Sequence, residues 1–155
     1  MNKRIKAGLA MVAVACVAAA TAIAGAGAAD AGDGSRLIYK AGNAPIGTSF
    51  CLFDVCAPAG TMLHVVEGQD YGDSISLSYV RAQVTGLADI CNWWIDFDFE
   101  QDPSKHVQGE FHRGCTNNAY VRTDFAMPNV FPVGRVCAVL YENAIVRSRQ
   151  CHSLP

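Results

Sequence analysis

The sequence predicts an all-β fold, a disulfide-stabilised antiparallel β-sandwich of about 7–9 short strands. Three observations carry this. Helical period is almost absent, and short alternating runs are divided by Gly, Pro, Asn and Asp. Six cysteines remain once an N-terminal leader is set aside, an even number suited to an oxidising compartment. One stretch, ICNWWIDFDFEQDPSKHVQGEFHRGC at 90–115, folds on paper into a hairpin with one apolar face and a cysteine near each end.

The chain opens on a processing segment. Asn2 to Lys6 is basic, Ala7 to Ala24 is uncharged and mostly apolar, and Ala26-Gly27-Ala28-Ala29 offers small residues to a peptidase. Residues 1–28 therefore read as a secretory signal peptide. The rival, a retained membrane anchor, is disfavoured by the weak hydrophobicity of alanine and by the small-residue exit. Residues 29–35, rich in Ala, Gly and Asp, read as a flexible stub, and 36–155 as a single β-sandwich domain. The expected location is extracellular, with no membrane contact after cleavage. Loss of Lys3, Arg4 and Lys6 leaves 9 basic against 14 acidic residues, a net charge of −5, which disfavours a nucleic-acid partner.

Alternation and turn residues place strands at Arg36 to Lys40, Thr48 to Val55, Thr61 to Val66, Ser74 to Thr85, Cys91 to Glu100, Lys105 to Arg113, Ala119 to Thr123, Arg135 to Tyr141 and Ile145 to Cys151. Within the fourth, Ile75, Leu77 and Tyr79 share one parity and Val80, Ala82 and Val84 the other. A bulge near Tyr79 would keep both sets on one face.

In the fifth, Trp93, Ile95, Phe97 and Phe99 form the apolar face, and Trp94, Asp96, Asp98 and Glu100 the polar one. Asp102-Pro103-Ser104 supplies a turn, and Val107 and Phe111 are apolar on the return. Matching apolar faces through a three-residue loop sets Phe99 opposite Val107, Phe97 opposite Gly109, Ile95 opposite Phe111 and Trp93 opposite Arg113. Gly109 would then leave room for the Phe97 ring. The same register places Cys91 opposite Cys115, within disulfide reach, so these two are predicted to be bonded. Closing this loop of about 23 residues would contribute about 3 to 4 kcal/mol. Cys51 and Cys56 are near enough for a local bridge across a bend. Cys137 and Cys151 flank a second hairpin with its turn at Glu142 to Ala144, and their bond needs a bulge or a diagonal because no tight loop makes them strictly opposite.

The segment GRVCAVLYENAIVRSRQCH at 134–152, with the Ala/Gly-rich leader, resembles the C-terminal hairpin of small secreted actinobacterial proteins of uncertain function. The resemblance implies secretion and a disulfide-bonded β-domain, and brings no activity with it. A turn glycine would suit the position of Ala144 better, because the turns of tight hairpins want positive φ there.

On the polar face the register pairs Glu100 with His106, Asp98 with Gln108, Asp96 with Glu110 and Trp94 with His112. Asp96 against Glu110 is a like-charge contact that asks for a cation, a proton or an arginine between them; Arg81, Arg147 or Arg149 on an adjacent strand is the simplest source. An EF-hand loop is rejected, since Gln101 and Val107 stand where it needs Gly and Glu. His106 and His112 lie about 20 Å apart on one strand and cannot share an ion. No metal or other cofactor is implied. The chain holds no G-x-S-x-G elbow and no phosphate-binding glycine loop, and pairing of all six cysteines leaves no thiol for nucleophilic work, so an enzyme is not expected. His64 and His152 stand singly in the sequence and read as structural or exposed.

Residues 117–135 hold Phe125, Met127, Val130 and Phe131 among Pro128 and Pro132. The simpler reading is a crossover whose apolar side chains plug the open end of the sandwich; the sharper one is a stiff loop presented to a partner. Two functions result. The first is a non-catalytic secreted β-domain that binds an extracellular protein or cell-surface component through Trp94, Asp96, Asp98, Glu100, Glu110 and His112, with Trp94 substantially exposed. The alternative is an inhibitor of a secreted peptidase acting through the loop 125–131, with Phe125, Met127 and Phe131.

Overall fold

The alternating runs become eight antiparallel strands, with no α-helix among the described residues: β1 (Arg36–Pro45), β2 (Ser49–Leu52), β3 (Val55–Pro58), β4 (Gly60–Asp70), β5 (Ile75–Phe99), β6 (His112–Asp124), β7 (Gly134–Glu142) and β8 (Ile145–Leu154). The structure, a computed structural model, describes residues 35–47, 49–52 and 55–155, without the side chains of 49–52, 55 and 56. The expected signal peptide and nearly all of the stub lie outside the described residues.

Six strands form one sheet in the order β1-β4-β5-β7-β8, with β6 on the other edge of β5, and β2-β3 form a separate hairpin. The organising element is β5, 25 residues long. Its first half, to Gly86, pairs with β4 and with residues 118–124 of β6; its second half, from Ile90, pairs with β7 and with the start of β6. The register breaks between Thr85 and Ile90, where the amides of Leu87 and Ala88 both donate to Ala59 O. A strand that changes layer through such an irregularity turns a corner. Two strands expected on either side of TGLAD are therefore one: Gly86 and Asp89 mark a bend, not a loop. A Cβ on Gly86 would lie 2.6 Å from Ala88 O, so the bend needs glycine.

The expected two packed layers are thus halves of a single nearly closed, barrel-like sheet. Inner faces of both halves share one core that includes Met62, Val66, Leu77, Val80, Ile95, Phe97, Val136, Ala138 and Leu140. Removal of that apolar surface from water is the main stabilising term. At the closing seam β8 meets β1 and β4: Gly47 N–H donates to Arg147 O (2.7 Å), Ser148 Oγ–H to Pro45 O (3.0 Å), and His64 Nδ1–H to Gln150 O (3.0 Å). The parity switch in β5 has the expected cause. Glu67 pairs with Tyr79 and Gly68 with Leu77, which leaves Ser78 as the extra residue of a bulge and keeps Ile75, Leu77, Val80, Ala82 and Val84 all inside.

Cys91 is bonded to Cys115 and Cys137 to Cys151, each pair directly opposite in its ladder. In the second hairpin Asn143 and Ala144 form a two-residue turn with φ of 50° and 63°. The bulge that the cysteines require is present: Leu140 pairs with Ser148 but Tyr141 with Val146, so Arg147 is the extra residue. Cys51 faces Cys56 in the β2-β3 backbone register; their side chains, and with them the expected bond, lie outside the described residues.

The first hairpin departs from its expected register beyond the disulfide. Cys91 faces Cys115, but Trp93 faces His112 and Phe97 faces Val107, so successive irregularities separate the cysteines from the turn. The turn itself is a 3-10 turn at Pro103–Lys105, capped by the Asp102 side chain. Residues 106–111 form no continuous strand and attach to β5 through the paired hydrogen bonds of Phe97 and Val107. Gly109 leaves room for backbone rather than for Phe97: a Cβ there would sit 2.1 Å from Ile95 O.

Candidate functional site

From Trp93 to Phe99 the odd residues fill the core and the even ones point away from it, as alternation demands. Across that outer face Trp94 lies opposite Tyr141, and Tyr141 opposite Val146. The Trp94 and Tyr141 rings stack at 4.8 Å with an interplanar angle of 6°, and the Phe111 ring, tilted by 57°, lies 5.9 Å from Trp94. Phe111, Trp94, Tyr141 and Val146 thus form one row across four neighbouring segments. Phe111 and Val146 are 50% and 51% exposed, whereas Trp94, expected to be substantially exposed, is half-buried with Tyr141 because the neighbouring strand stacks Tyr141 on it. Burial, then Asp96 and Asp98, push the Tyr141 hydroxyl above its ordinary pKa, which keeps it a neutral donor.

Beside this row lies a charged cluster. Arg149 reaches Glu100 at 3.1 Å and Asp98 at 3.8 Å, Arg135 reaches Glu100 at 3.3 Å, and His106 Nδ1 lies 2.8 Å from Asp98 Oδ1. Asp98, Glu100, His106 and Arg149 border a shallow cleft of about 400 Å³ with Phe99 and Pro103. None of the three arginines proposed from sequence to lie between Asp96 and Glu110 does so; Arg149 pairs with Asp98 and Glu100 instead. Arg147 instead sits 2.9 Å from Glu142, whose carboxylate accepts the amide of Cys91. Glu100 with Cys137 and Cys151 has the spacing of a metal site, but both sulfurs are committed to a disulfide and cannot act as thiolates.

Asp96 is not on the wet face. It is 7% exposed and accepts from Gly109 N–H (2.9 Å) and the Trp94 indole N–H (3.4 Å), so it tethers the irregular segment to β5. The expected contact with Glu110 is replaced by this backbone bond, because the shifted register brings Gly109 to Asp96. His106 moves from Glu100 to Asp98 for the same reason. His112 stacks on Trp93 at 4.2 Å instead of facing Trp94. Glu110 is exposed on a seam of about 340 Å³ between residues 107–110 and 120–123, whose floor residues Ile95 and Phe97 are closed to solvent. Of the sequence-derived face, the structure brings together Trp94, Asp98 and Glu100; Asp96 lies beneath them, and Glu110 and His112 stand apart. Tyr141 was missed although it stands at outward parity on its strand, and Phe111, expected on the apolar face opposite Ile95, lies half exposed beside Trp94 because the register shifts through the irregular segment.

The loop at 125–131 divides into anchors and a tip. Phe125 and Phe131 pack with Phe99 at centroid distances of 6.1 and 4.8 Å, plugging the end of the core as the simpler reading had it. The Asn129 side chain replaces a missing strand residue: its Oδ1 accepts from Leu77 N–H and its Nδ2 donates to Leu77 O, both at 2.9 Å, and also to Ala126 O at 3.2 Å. Met127 and Val130 are 56% and 63% exposed on the tip so held.

His64 and His152, solitary in the sequence, meet inside the seam with ring centroids 4.8 Å apart. His64 is fully buried, and since both partners are carbonyls, His64 Nδ1 and His152 Nε2 each carry a proton, the latter donated to His64 O at 3.0 Å. Nothing among the described residues hydrogen-bonds His64 Nε2.

Fold and site together define a disulfide-stapled antiparallel β-domain with an aromatic and charged outer face. No protein-family model, no curated protein and no solved structure matches the chain. Two disulfides are consistent with an extracellular protein, and no helix among the described residues is long and apolar enough to cross a membrane.

Proposed function

We propose that this chain is an exported, non-catalytic β-domain that binds an extracellular protein or cell-surface partner through the row Phe111, Trp94, Tyr141 and Val146 and its neighbours Asp98, Glu100 and Arg149. The supporting observation is the row itself: aromatic and aliphatic side chains, half-buried to half-exposed, contiguous across four segments of a rigid sheet. Aromatic residues rimmed by satisfied charges are the composition of a protein-binding patch. Export is supported by the basic-apolar-small leader and by the two cross-strand disulfides. The chemistry of the carboxylates also favours binding over catalysis, because Asp98 and Glu100 are held by Arg149 and Arg135 instead of being poised as a free pair. Immobilised protein exposed to culture medium and cell-wall extracts of the producing cells should retain a component that Phe111→Ser and Trp94→Ala, both still folded by circular dichroism, do not retain. Equal retention by the variants removes this surface.

A second reading, peptidase inhibition, rests on the loop tip. Asn129 fixes Ala126 and Leu77 together, so Met127 is presented on a backbone that loses little freedom on binding. A panel of serine, cysteine and metallopeptidases tests it: inhibition should vanish in Met127→Glu, and a blank panel for the wild type excludes it.

A further inference from the structure

The nearly closed sheet keeps an open edge along β6. On its inner side β6 is bonded to β5 in an unbroken register, from Asn118 opposite Thr85 to Asp124 opposite Tyr79. Phe125 N–H continues the ladder by donating to Ser78 O at 3.0 Å. Alternation therefore turns the amides of Ala119, Val121 and Thr123 toward β5, and those of Asn118, Tyr120 and Arg122 away from it. Asn118 agrees, since its N–H and its C=O are both taken by Thr116 Oγ1, at 3.2 and 2.7 Å. The N–H and C=O of Tyr120 and Arg122 have no partner among the described residues. Residues 107–110 form the other lip of the seam of about 340 Å³, and no hydrogen bond among the described residues bridges the two lips.

We infer that this edge is a dimer interface, to which a second copy of the chain adds its own β6, antiparallel, about a two-fold axis at Val121. Edge strands are ordinarily guarded against such pairing by charged side chains, proline, bulges or inward-pointing charges. Residues 118–124 hold no proline, no bulge toward β5 and no inward charge, since Ala119, Val121 and Thr123 point inward. Their outward charges, Arg122 and Asp124, neutralise each other at 2.6 Å. What selects a second copy is the strand's complementarity to itself. Full overlap of 118–124 with its copy sets Tyr120 opposite Arg122 and Asn118 opposite Asp124, with Val121 opposite Val121 and Ala119 opposite Thr123 on the inner side. The same overlap joins the open groups, because Tyr120 of each copy exchanges N–H and C=O with Arg122 of the other. A guanidinium beside a tyrosine ring and an amide beside a carboxylate are favourable neighbours, and small apolar side chains meet beneath them. Moving the axis to Arg122 would instead oppose that residue to its own copy, two like charges. The contact uses the half of the sheet opposite the aromatic row, so it stands whether or not that row binds a partner.

The test is the oligomeric state of the full chain after leader removal. Sedimentation equilibrium should show monomers and dimers with a dissociation constant at or below about 0.1 mM. Tyr120→Pro removes an edge-facing N–H while sparing the bonds to β5, and should weaken the dimer about tenfold or more. Amide exchange of the wild type reads the same edge without a substitution. Tyr120 and Arg122 should gain protection as protein concentration rises, whereas Val121, bonded to β5, should be protected throughout. The inference is overturned if the wild type is still a monomer at about 1 mM, or if folded Tyr120→Pro associates as the wild type does. It is overturned equally by a dimer in which the Tyr120 and Arg122 amides exchange as fast as in the monomer. Protection of those amides in a monomer only when culture-medium proteins are added would also overturn it, and would assign the edge to a foreign strand.

Discussion

Acid should unfold this domain through His64. The imidazole is fully buried between β4 and β8, and burial first, then the neighbouring His152, push its pKa from 6.5 down to about 3, against a smaller opposing contribution from the bond to Gln150 O. The folded state holds His64 neutral while the unfolded chain takes up a proton below pH 6.5, so each step downward in pH favours the unfolded state. Stability present above pH 6.5 is lost progressively as pH falls toward 3. Each pH unit inside that window is worth about 1.4 kcal/mol, so about 3 kcal/mol should be gone by pH 4.5 and about 5 kcal/mol by pH 3. His152, also lowered by burial, adds to the effect in the same direction. Urea unfolding of the wild type and of His64→Leu at pH 7 and pH 4.5 isolates the contribution, because every surface carboxylate titrates alike in both. The variant leaves the Gln150 carbonyl unpaired and should be less stable at pH 7 by about 1 to 2 kcal/mol. Its further loss on going to pH 4.5 should be smaller than that of the wild type by about 3 kcal/mol. Parallel pH dependence in the two proteins would refute the placement of an unprotonated histidine in the seam.

Other perturbations follow from particular contacts. Ala144 sits in a turn at φ of 63°, so Ala144→Gly should stabilise the domain by about 1 kcal/mol in urea unfolding. Gly109→Ala places a methyl group against the Ile95 backbone and severs the bond to Asp96; a loss of about 3 kcal/mol is expected, with rapid amide exchange across 106–111. Replacing Cys137 and Cys151 together by alanine opens a 14-residue separation and should cost about 3 kcal/mol without altering the circular dichroism spectrum at about 20 °C. Asn129→Ala should leave global stability within about 1 kcal/mol while the Leu77 amide, stripped of its acceptor, loses its protection from exchange.

The strand pattern was readable wherever one face is wet and the other dry, as in Trp93 to Phe99 or Ile75 to Val84, because side-chain alternation is a local property. The Cys91 to Cys115 bond was reached through an alignment that the structure keeps only at the cysteines, because two later irregularities shift the apolar pairs while leaving Cys91 opposite Cys115. Register beyond that bond was not, since it depends on bulges whose cause is three-dimensional: Gly109 must approach Ile95 closely, and Asp96 claims its amide. The continuity of β5 was hidden because Gly86 and Asp89 carry the chemistry of a turn while serving as a bend within a strand. Within the site, Asp98 and Glu100 could be named but their partner Arg149 could not, since it was proposed for Asp96 and Glu110 and comes from a strand about fifty positions away. The meeting of His64 with His152 left no trace in the sequence, since closure of the sheet at its two far ends creates it.

A strand that belongs to both layers leaves the molecule without a place to part. Denaturant or tension that frees either set of neighbours strips the supports of the same backbone, so the two layers should melt together despite having different outer surfaces. A partner seated on one surface would then stiffen the other through that shared wall, with no hinge between them.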